Sequence, residues 1–237
     1  MARKNDLRKQ REGTVINAIS KIQEERAAQA LEIVVKNVSR KFKLQLAYER
    51  QWLLTDVVSK LKPNHPEVEF HCYFSRSSMR PDGGILSIVD KINNQYPILI
   101  TEVKNQGTNV QRLAEGKPKQ AKGNAIERLG KNVIGFRTAF MKESIFPFIC
   151  FGDGCDFSDD STIIDRVVTI AMFGKLNVIR VHNEGEGKNF NRGSFFFREK
   201  QWTATEMAEE MSKIVESSIY YYYSKYGEAK FKKLDEE

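Results

Sequence analysis

Ser77-Ser78-Met79-Arg80-Pro81-Asp82-Gly83-Gly84-Ile85 leads into the run Tyr96-Pro97-Ile98-Leu99-Ile100-Thr101-Glu102-Val103-Lys104, and these two stretches decide the fold. The second run is apolar without alternation as far as Thr101, the pattern of a strand buried on both faces. A turn centred on Asn93 joins 84–90 to 96–104 as an antiparallel hairpin and sets Asp82 opposite Glu102 or Val103. Glu102 and Lys104 are two apart, so both side chains leave the strand by the same face. Alone, Asp82 reads as a turn cap and Glu102 with Lys104 as an exposed strand pair. Together, two carboxylates and an ammonium converge at the end of a buried strand, where charge needs a reason. Such a point suits a divalent metal and an attacking water. Mg²⁺ takes oxygen ligands and keeps several waters, so one or two carboxylates suffice. A metal there polarises a phosphoryl oxygen and offsets charge developing in a transition state.

Downstream, Gly123-Asn124-Ala125-Ile126-Glu127-Arg128 opens a segment with Ile126, Leu129, Val133, Phe136 and Phe140 at helical spacing. A helix is predicted over Ala125–Met141, with Asn124 as its candidate N-cap. A helix N-terminus offers free N–H groups and the positive end of a dipole. Asn pairs bidentately with adenine in the major groove and Arg donates to purine N7 or O6. Asn124 and Arg128, four apart, fit that task, although an N-cap with an ordinary surface pair has the same pattern.

Elsewhere, residues 1–12 are polar and mostly basic and read as a flexible arm, with one domain over 13–237. Thr14 to Phe42 reads as a long amphipathic helix on Val15, Ile19, Ile22, Ala27, Leu31, Val34 and Val38, and a second helix spans roughly Arg50–Leu61. Val68–Phe74 alternates as a strand, and residues 105–122 read as a polar loop whose length points to function. Phe146–Phe151 and Val167–Phe173 are expected as strands, with Leu176–Val181 and Ser194–Phe197 as further edge strands. Thr203–Tyr226 closes the chain as a helix whose Tyr220–Tyr223 run is read as packing. The elements predict an α/β fold, a mixed central β-sheet flanked by helices.

With 237 residues, 41% of them hydrophobic, the chain can bury one substantial core. Its net charge is +7, and the segment from Lys104 to Lys142 alone holds nine basic and two acidic residues. A basic concentration beside a carboxylate pair fits a polyanion held at a metal site. Cys72, Cys150 and Cys155 form neither a disulfide framework nor a metal pair, and Cys72 and Cys150 are expected to be buried thiols. No stretch suggests export or membrane insertion, so a reducing cytoplasm is the expected compartment.

The Pro81-Asp82 pair, the spacer and Glu102-Val103-Lys104 resemble the PD-(D/E)xK nuclease signature. Residues 77–85 and 123–128 together resemble the EcoRI-like family of type II restriction endonucleases, a similarity that runs from about Gly13 to the last helix and is weaker between 155 and 200. The resemblance implies a restriction-endonuclease-like core and a Mg²⁺-dependent homodimer. Such an enzyme would cleave double-stranded DNA at a palindrome containing AATT and leave 5′-phosphate ends. A companion adenine methyltransferase would protect the host. It implies catalysis by Asp82, Glu102 and Lys104, with Asp82, Glu102 and the Val103 carbonyl as metal ligands. DNA contacts would come from Arg80, Lys117, Lys119, Lys122, Gly123, Asn124, Ala125, Arg128 and Arg166. The chain departs from the family pattern in a shorter loop ahead of Gly123, in Lys122 where alanine stands, and in a much shorter segment after Phe157. Of two arginines in the family's later recognition loop only Arg166 is matched, and Ile163 stands in place of the other. The competing expectations are a repair or recombination nuclease of the same fold without strict sequence specificity, and a DNA-binding protein that does not cleave.

Overall fold

The computed structural model describes residues 15–105, 113–116, 124–158, 161–183 and 189–234. Its centre is the predicted hairpin. Strand β4 (Gly84–Val89) is buried throughout and pairs antiparallel with β5 (Gln95–Asn105), Gly84 facing Thr101 and Ile85 facing Ile100. The turn between them is held by the Asp90 carboxylate. It accepts from the N–H groups of Ile92 (3.0 Å) and Asn94 (2.8 Å), the Asn94 amide (3.0 Å) and the Tyr96 hydroxyl (3.1 Å). Burial works against the charge on Asp90, but these donors outweigh it and hold the carboxyl below its ordinary pKa. Asn93 takes the left-handed conformation at φ 65°, as a turn centre requires.

Strand β1 (Leu46–Glu49) adds antiparallel to β4, while β6 (Phe148–Asp153) and β7 (Ser194–Arg198) extend the sheet in parallel beyond β5, in the order β1-β4-β5-β6-β7. A small two-stranded sheet pairs β2 (Trp52–Leu53) with β3 (Ser78–Met79). One face of the main sheet is covered by α1 (Val15–Phe42) and α5 (Ala204–Tyr226), which pack on each other and on β5. The other face carries α3 (Asn124–Ala139) and α4 (Thr162–Ile170), and α2 (Leu54–Leu61) adds Leu54 and Val57 at the rim of that core. The result is the expected mixed sheet between helices.

Three of the four helical readings hold with shifts of one or two residues. On α3 the predicted stripe Ile126, Leu129, Val133, Phe136 and Phe140 is the buried one. On α1 the inner face is Gln23, Ala27, Ala30, Val34 and Val38, and Ile22 faces solvent. The Tyr220–Tyr223 run does pack. Tyr222 is buried with its hydroxyl donating to the Pro97 carbonyl at 3.1 Å, and Tyr221 donates to Glu143 at 2.7 Å. Of the thiols, Cys150 is buried and Cys72 is partly exposed.

Several strand readings need correction. Val68–Phe74 is irregular, and Tyr73 and Phe74 are exposed: its alternation is real, but no neighbouring strand pairs with it. Val167–Phe173 lies in and just past helix α4, which Ser161 caps by accepting from the Ile163 N–H. Its Ile163, Val167 and Ala171 fall on one buried face at helical spacing. Leu176–Val181 is not a strand, whereas Ser194–Phe197 is. The helix expected over Arg50–Leu61 begins only at Leu54, after β2. The basic arm and most of the 105–122 loop fall outside the described residues.

Helix α5 starts in a capping box. Thr203 Oγ1 accepts from the Glu206 N–H at 3.2 Å, and Glu206 Oε2 accepts from the Thr203 N–H at 2.9 Å. Arg198 adds an ion pair to Glu206 at 2.6 Å and, first among the causes, holds its carboxyl down to about 2. A carboxyl depressed on folding adds stability above its unfolded pKa, and that contribution is lost as pH falls through the folded value. Glu206→Gln is therefore expected to lower the urea midpoint near pH 7. The difference from wild type should shrink as pH drops from about 4.5 towards 2. Parallel urea titrations at pH 7, 4 and 2.5 check this, and a difference that grows on acidification would refute it.

Candidate active site

The sharp turn into β4 brings the three charged residues of the hairpin together. Gly83 passes so close to β5 that a Cβ there would meet the Thr101 Cβ at 2.7 Å, and its N–H donates to the Thr101 carbonyl at 2.8 Å. Gly84 follows at φ +77°, a left-handed conformation suited to glycine. Continuing the Gly84–Thr101 register sets Asp82 opposite Val103, one of the two expected positions. The Asp82 N–H donates to Glu102 Oε2 at 3.1 Å. Lys104 Nζ bridges the two acids, contacting Glu102 Oε1 and reaching Asp82 Oδ2 at 2.8 Å. Glu102 and Lys104 do share a face, the one towards α3.

Exposure rises across this cluster. The Glu102 side chain is 1% exposed, that of Lys104 12% and that of Asp82 34%. Burial, followed by the Asp82 charge, raises the Glu102 carboxyl above its ordinary pKa against the pull of Lys104. Burial disfavours the Lys104 ammonium, but Glu102 and then Asp82 outweigh it and raise its pKa. The Cys150 thiol, on β6 beside Glu102, is pushed well up by burial. Lys104 is thus a fixed cation between two carboxylates, one enclosed and one open to solvent.

Two further residues hold this cluster, and the sequence reading missed both. Gln23 on α1 is buried and donates to the Lys104 carbonyl at 3.2 Å, fixing the end of β5 from one face. Asn132 on α3 donates to Glu102 Oε1 at 3.1 Å from the other. A polar residue inside the apolar stripe of α1 was the signal for Gln23. Asn132 follows Arg128 by one helical turn, a spacing visible in the sequence but lacking a partner until the hairpin is placed.

The donor set fits a hard divalent cation. Two carboxylates face a common point, and a positive charge already lies between them. On a strand, carbonyls two apart leave by the same edge. The Thr101 carbonyl faces β4, so that of Val103 faces the same edge just past the end of β4. Among the described residues no group of three or more His, Cys, Asp or Glu side chains gathers for a metal; a divalent ion held by the Asp82–Glu102 pair would need backbone and solvent oxygen to complete its shell.

The other candidate residues are placed less closely. Arg80 is exposed and lines a cleft of about 350 Å³ with Asp82, Lys21 and Arg50. Arg128 is exposed on the second turn of α3. Asn124 is the first helical residue of α3 rather than the residue ahead of it, and its side chain and that of Ala125 are not described. Lys117, Lys119, Lys122 and Gly123 lie outside the described residues. Arg166 is exposed on α4, which packs on α3, while Ile163 points into the core.

A mixed sheet flanked by helices, with an Asp-Glu-Lys cluster at the end of its central hairpin, defines a restriction-endonuclease-like core. Residues 10–163 match the family described as restriction endonuclease EcoRI, and the chain belongs to that family. It is 31% identical over 193 residues to the type II restriction enzyme RsrI of Cereibacter sphaeroides, covering 68% of this chain and 70% of that one. It is 29% identical over 143 residues to the type II restriction enzyme EcoRI of Escherichia coli, covering 56% of this chain and about half (52%) of EcoRI. Enzymes of this class act on double-stranded DNA and generally use divalent metal ions. Among the described residues, no helix is long and apolar enough to cross a membrane.

Proposed function

We propose that this chain is a Mg²⁺-dependent endonuclease that hydrolyses both strands of a palindrome containing AATT. It would act in the cytoplasm as a two-fold homodimer, beside a methyltransferase that modifies the same adenines. The observation that carries this reading is the convergence of Asp82, Glu102 and Lys104 at one point. The AATT assignment is supported by Gly123-Asn124-Ala125-Ile126-Glu127-Arg128, which carries base-reading side chains at the start of α3. A palindrome read by one copy per half-site calls for two-fold symmetry.

In this reading Asp82, Glu102 and the Val103 carbonyl would hold Mg²⁺, which would supply Lewis-acid polarisation of the scissile phosphate. The Lys104 ammonium positions the attacking water by hydrogen bonding and offsets negative charge as it grows on the phosphoryl oxygens. Water attacks phosphorus in line with the leaving oxygen. The P–O3′ bond breaks and the 3′ oxygen takes up a proton. The products are a 5′-phosphate and a 3′-hydroxyl. The enclosure of Glu102 keeps this charge stabilisation in a low-dielectric setting, while the exposed side of Asp82 admits the DNA strand.

Incubating plasmid with the protein and Mg²⁺, then sequencing the ends, tests the reading. Discrete fragments with 5′-phosphates at AATT-containing palindromes are expected, with no cutting in EDTA. Degradation without sequence preference would favour a repair or recombination nuclease. Tight binding without cutting would favour a DNA-binding protein.

A further inference from the structure

Among the described residues, Glu102 receives three hydrogen-bond donors. Two belong to the hairpin itself: Lys104 Nζ on Oε1 and the Asp82 N–H on Oε2 at 3.1 Å. The third, Asn132 Nδ2 on Oε1 at 3.1 Å, comes from α3. Asn132 is one helical turn beyond Arg128 and two beyond Asn124. It sits between the buried residues Leu129, Val133 and Phe136, which seat that helix on β5 and β6. A carboxylate can turn about its own bond. Lys104 Nζ, shared with Asp82, neutralises the charge, and the Asp82 N–H holds Oε2 from the hairpin side. The Asn132 amide is short and fixed to a packed helix, so on Oε1 it supplies the second fixed point that sets the carboxylate plane.

From this we infer that Asn132 is a positioning residue. It orients Glu102 and ties that carboxylate to the helix that opens with Asn124 and Arg128. The inference rests on the reading of Glu102 as a metal-holding carboxylate. A shift of α3 along its axis moves the Asn132 amide and with it the oxygens offered to the metal. Without Asn132, Glu102 keeps its charge, its lysine and the Asp82 N–H but loses one of the two fixed points that set its orientation.

The test compares Asn132→Ala and the near-isosteric Asn132→Asp with wild type in three measurements. These are cognate-duplex affinity in Ca²⁺, Mn²⁺ binding to the protein–DNA complex by electron paramagnetic resonance, and single-turnover cleavage at saturating Mg²⁺. In Asn132→Ala, DNA affinity should stay within about twofold of wild type. The cleavage rate should fall roughly tenfold or more, the scale of one hydrogen bond to a charged group, and Mn²⁺ binding should weaken severalfold. Asn132→Asp, which keeps the shape but turns the donor into a repelling charge, should cleave more slowly still. If Asn132→Ala does not fold, the Asp variant carries the test. Wild-type metal binding and rate in either folded variant would overturn the positioning role, as would a loss confined to DNA affinity. If wild type neither cuts nor binds Mn²⁺ in a Glu102-dependent way, the reading of the site fails as well. Wild-type cutting with an indifferent Asn132 removes the positioning role alone.

Discussion

Replacing Asp82 or Glu102 by alanine is expected to lower Mg²⁺-dependent cleavage by about 10³-fold or more, while binding to cognate DNA survives or tightens. Each substitution removes one of the two carboxylates proposed to hold the metal and one negative charge that would repel the phosphate. Glu102→Ala also leaves the Lys104 ammonium, only 12% exposed, with Asp82 as its remaining carboxylate. Breaking a buried ion pair is costly, so Glu102→Gln is the companion variant that keeps the shape and the Asn132 contact. Lys104→Ala should likewise stop cleavage but leave Mn²⁺ binding in place. Single-turnover kinetics on a labelled duplex decides the matter: near-wild-type, Mg²⁺-dependent cutting by either carboxylate variant would end this assignment.

Reading should separate from cutting at the other end of α3. A good base pairing is worth about 1–3 kcal/mol of discrimination, and the proposed two-fold dimer would make each contact twice. Asn124→Ala should therefore reduce cognate affinity on the order of 10²-fold or more and leave non-specific binding nearly intact. Arg166→Ala should act mainly on the pair flanking AATT, because Ile163 is buried where the family has a second arginine. Duplexes varied one base pair at a time provide the measurement. A uniform loss across all duplexes in Asn124→Ala would mean that the helix start contacts only the backbone. If wild type already ignores the flanking pair, Arg166 plays no part in reading.

The hairpin was legible because three signals agree on it: a left-handed Asn93 in the turn, an unbroken apolar run and charges placed at its end. The α3 stripe was legible because five large apolar residues repeat at helical spacing. Helix α4 was not. Val167-Val168-Thr169-Ile170 is β-branched throughout, and it is the Ser161 cap and the burial of Ile163, Val167 and Ala171 in the core shared with Phe195 and Phe197 that go with a helix there. The alternation of Val68–Phe74 says which faces a strand would have but not whether another strand lies beside it. Within the site, Asp82, Glu102 and Lys104 are close in sequence and could be read from it. Gln23 and Asn132 reach them across 81 and 30 residues and became visible only with the tertiary structure.

Behind the site, α1 and α5 press together against β5, with Lys41 paired to Glu216 at 2.8 Å and Val34 in one core cluster with Met211 and Ile214. These two helices are separated by residues 43–203, so they leave the ribosome at different times. At roughly 5–20 residues per second, α1 waits on the order of ten seconds for the stretch between Phe42 and Ala204 to be made. During that time the sheet can gather α3 and α4 on one face, but the other face, which backs Val103 and receives Gln23, has only half its cover. The strand bearing Glu102 and Lys104 acquires its full support only when α5 arrives. A chain that stops before Ala204 lacks the helix that packs on β5 and α1 across this face.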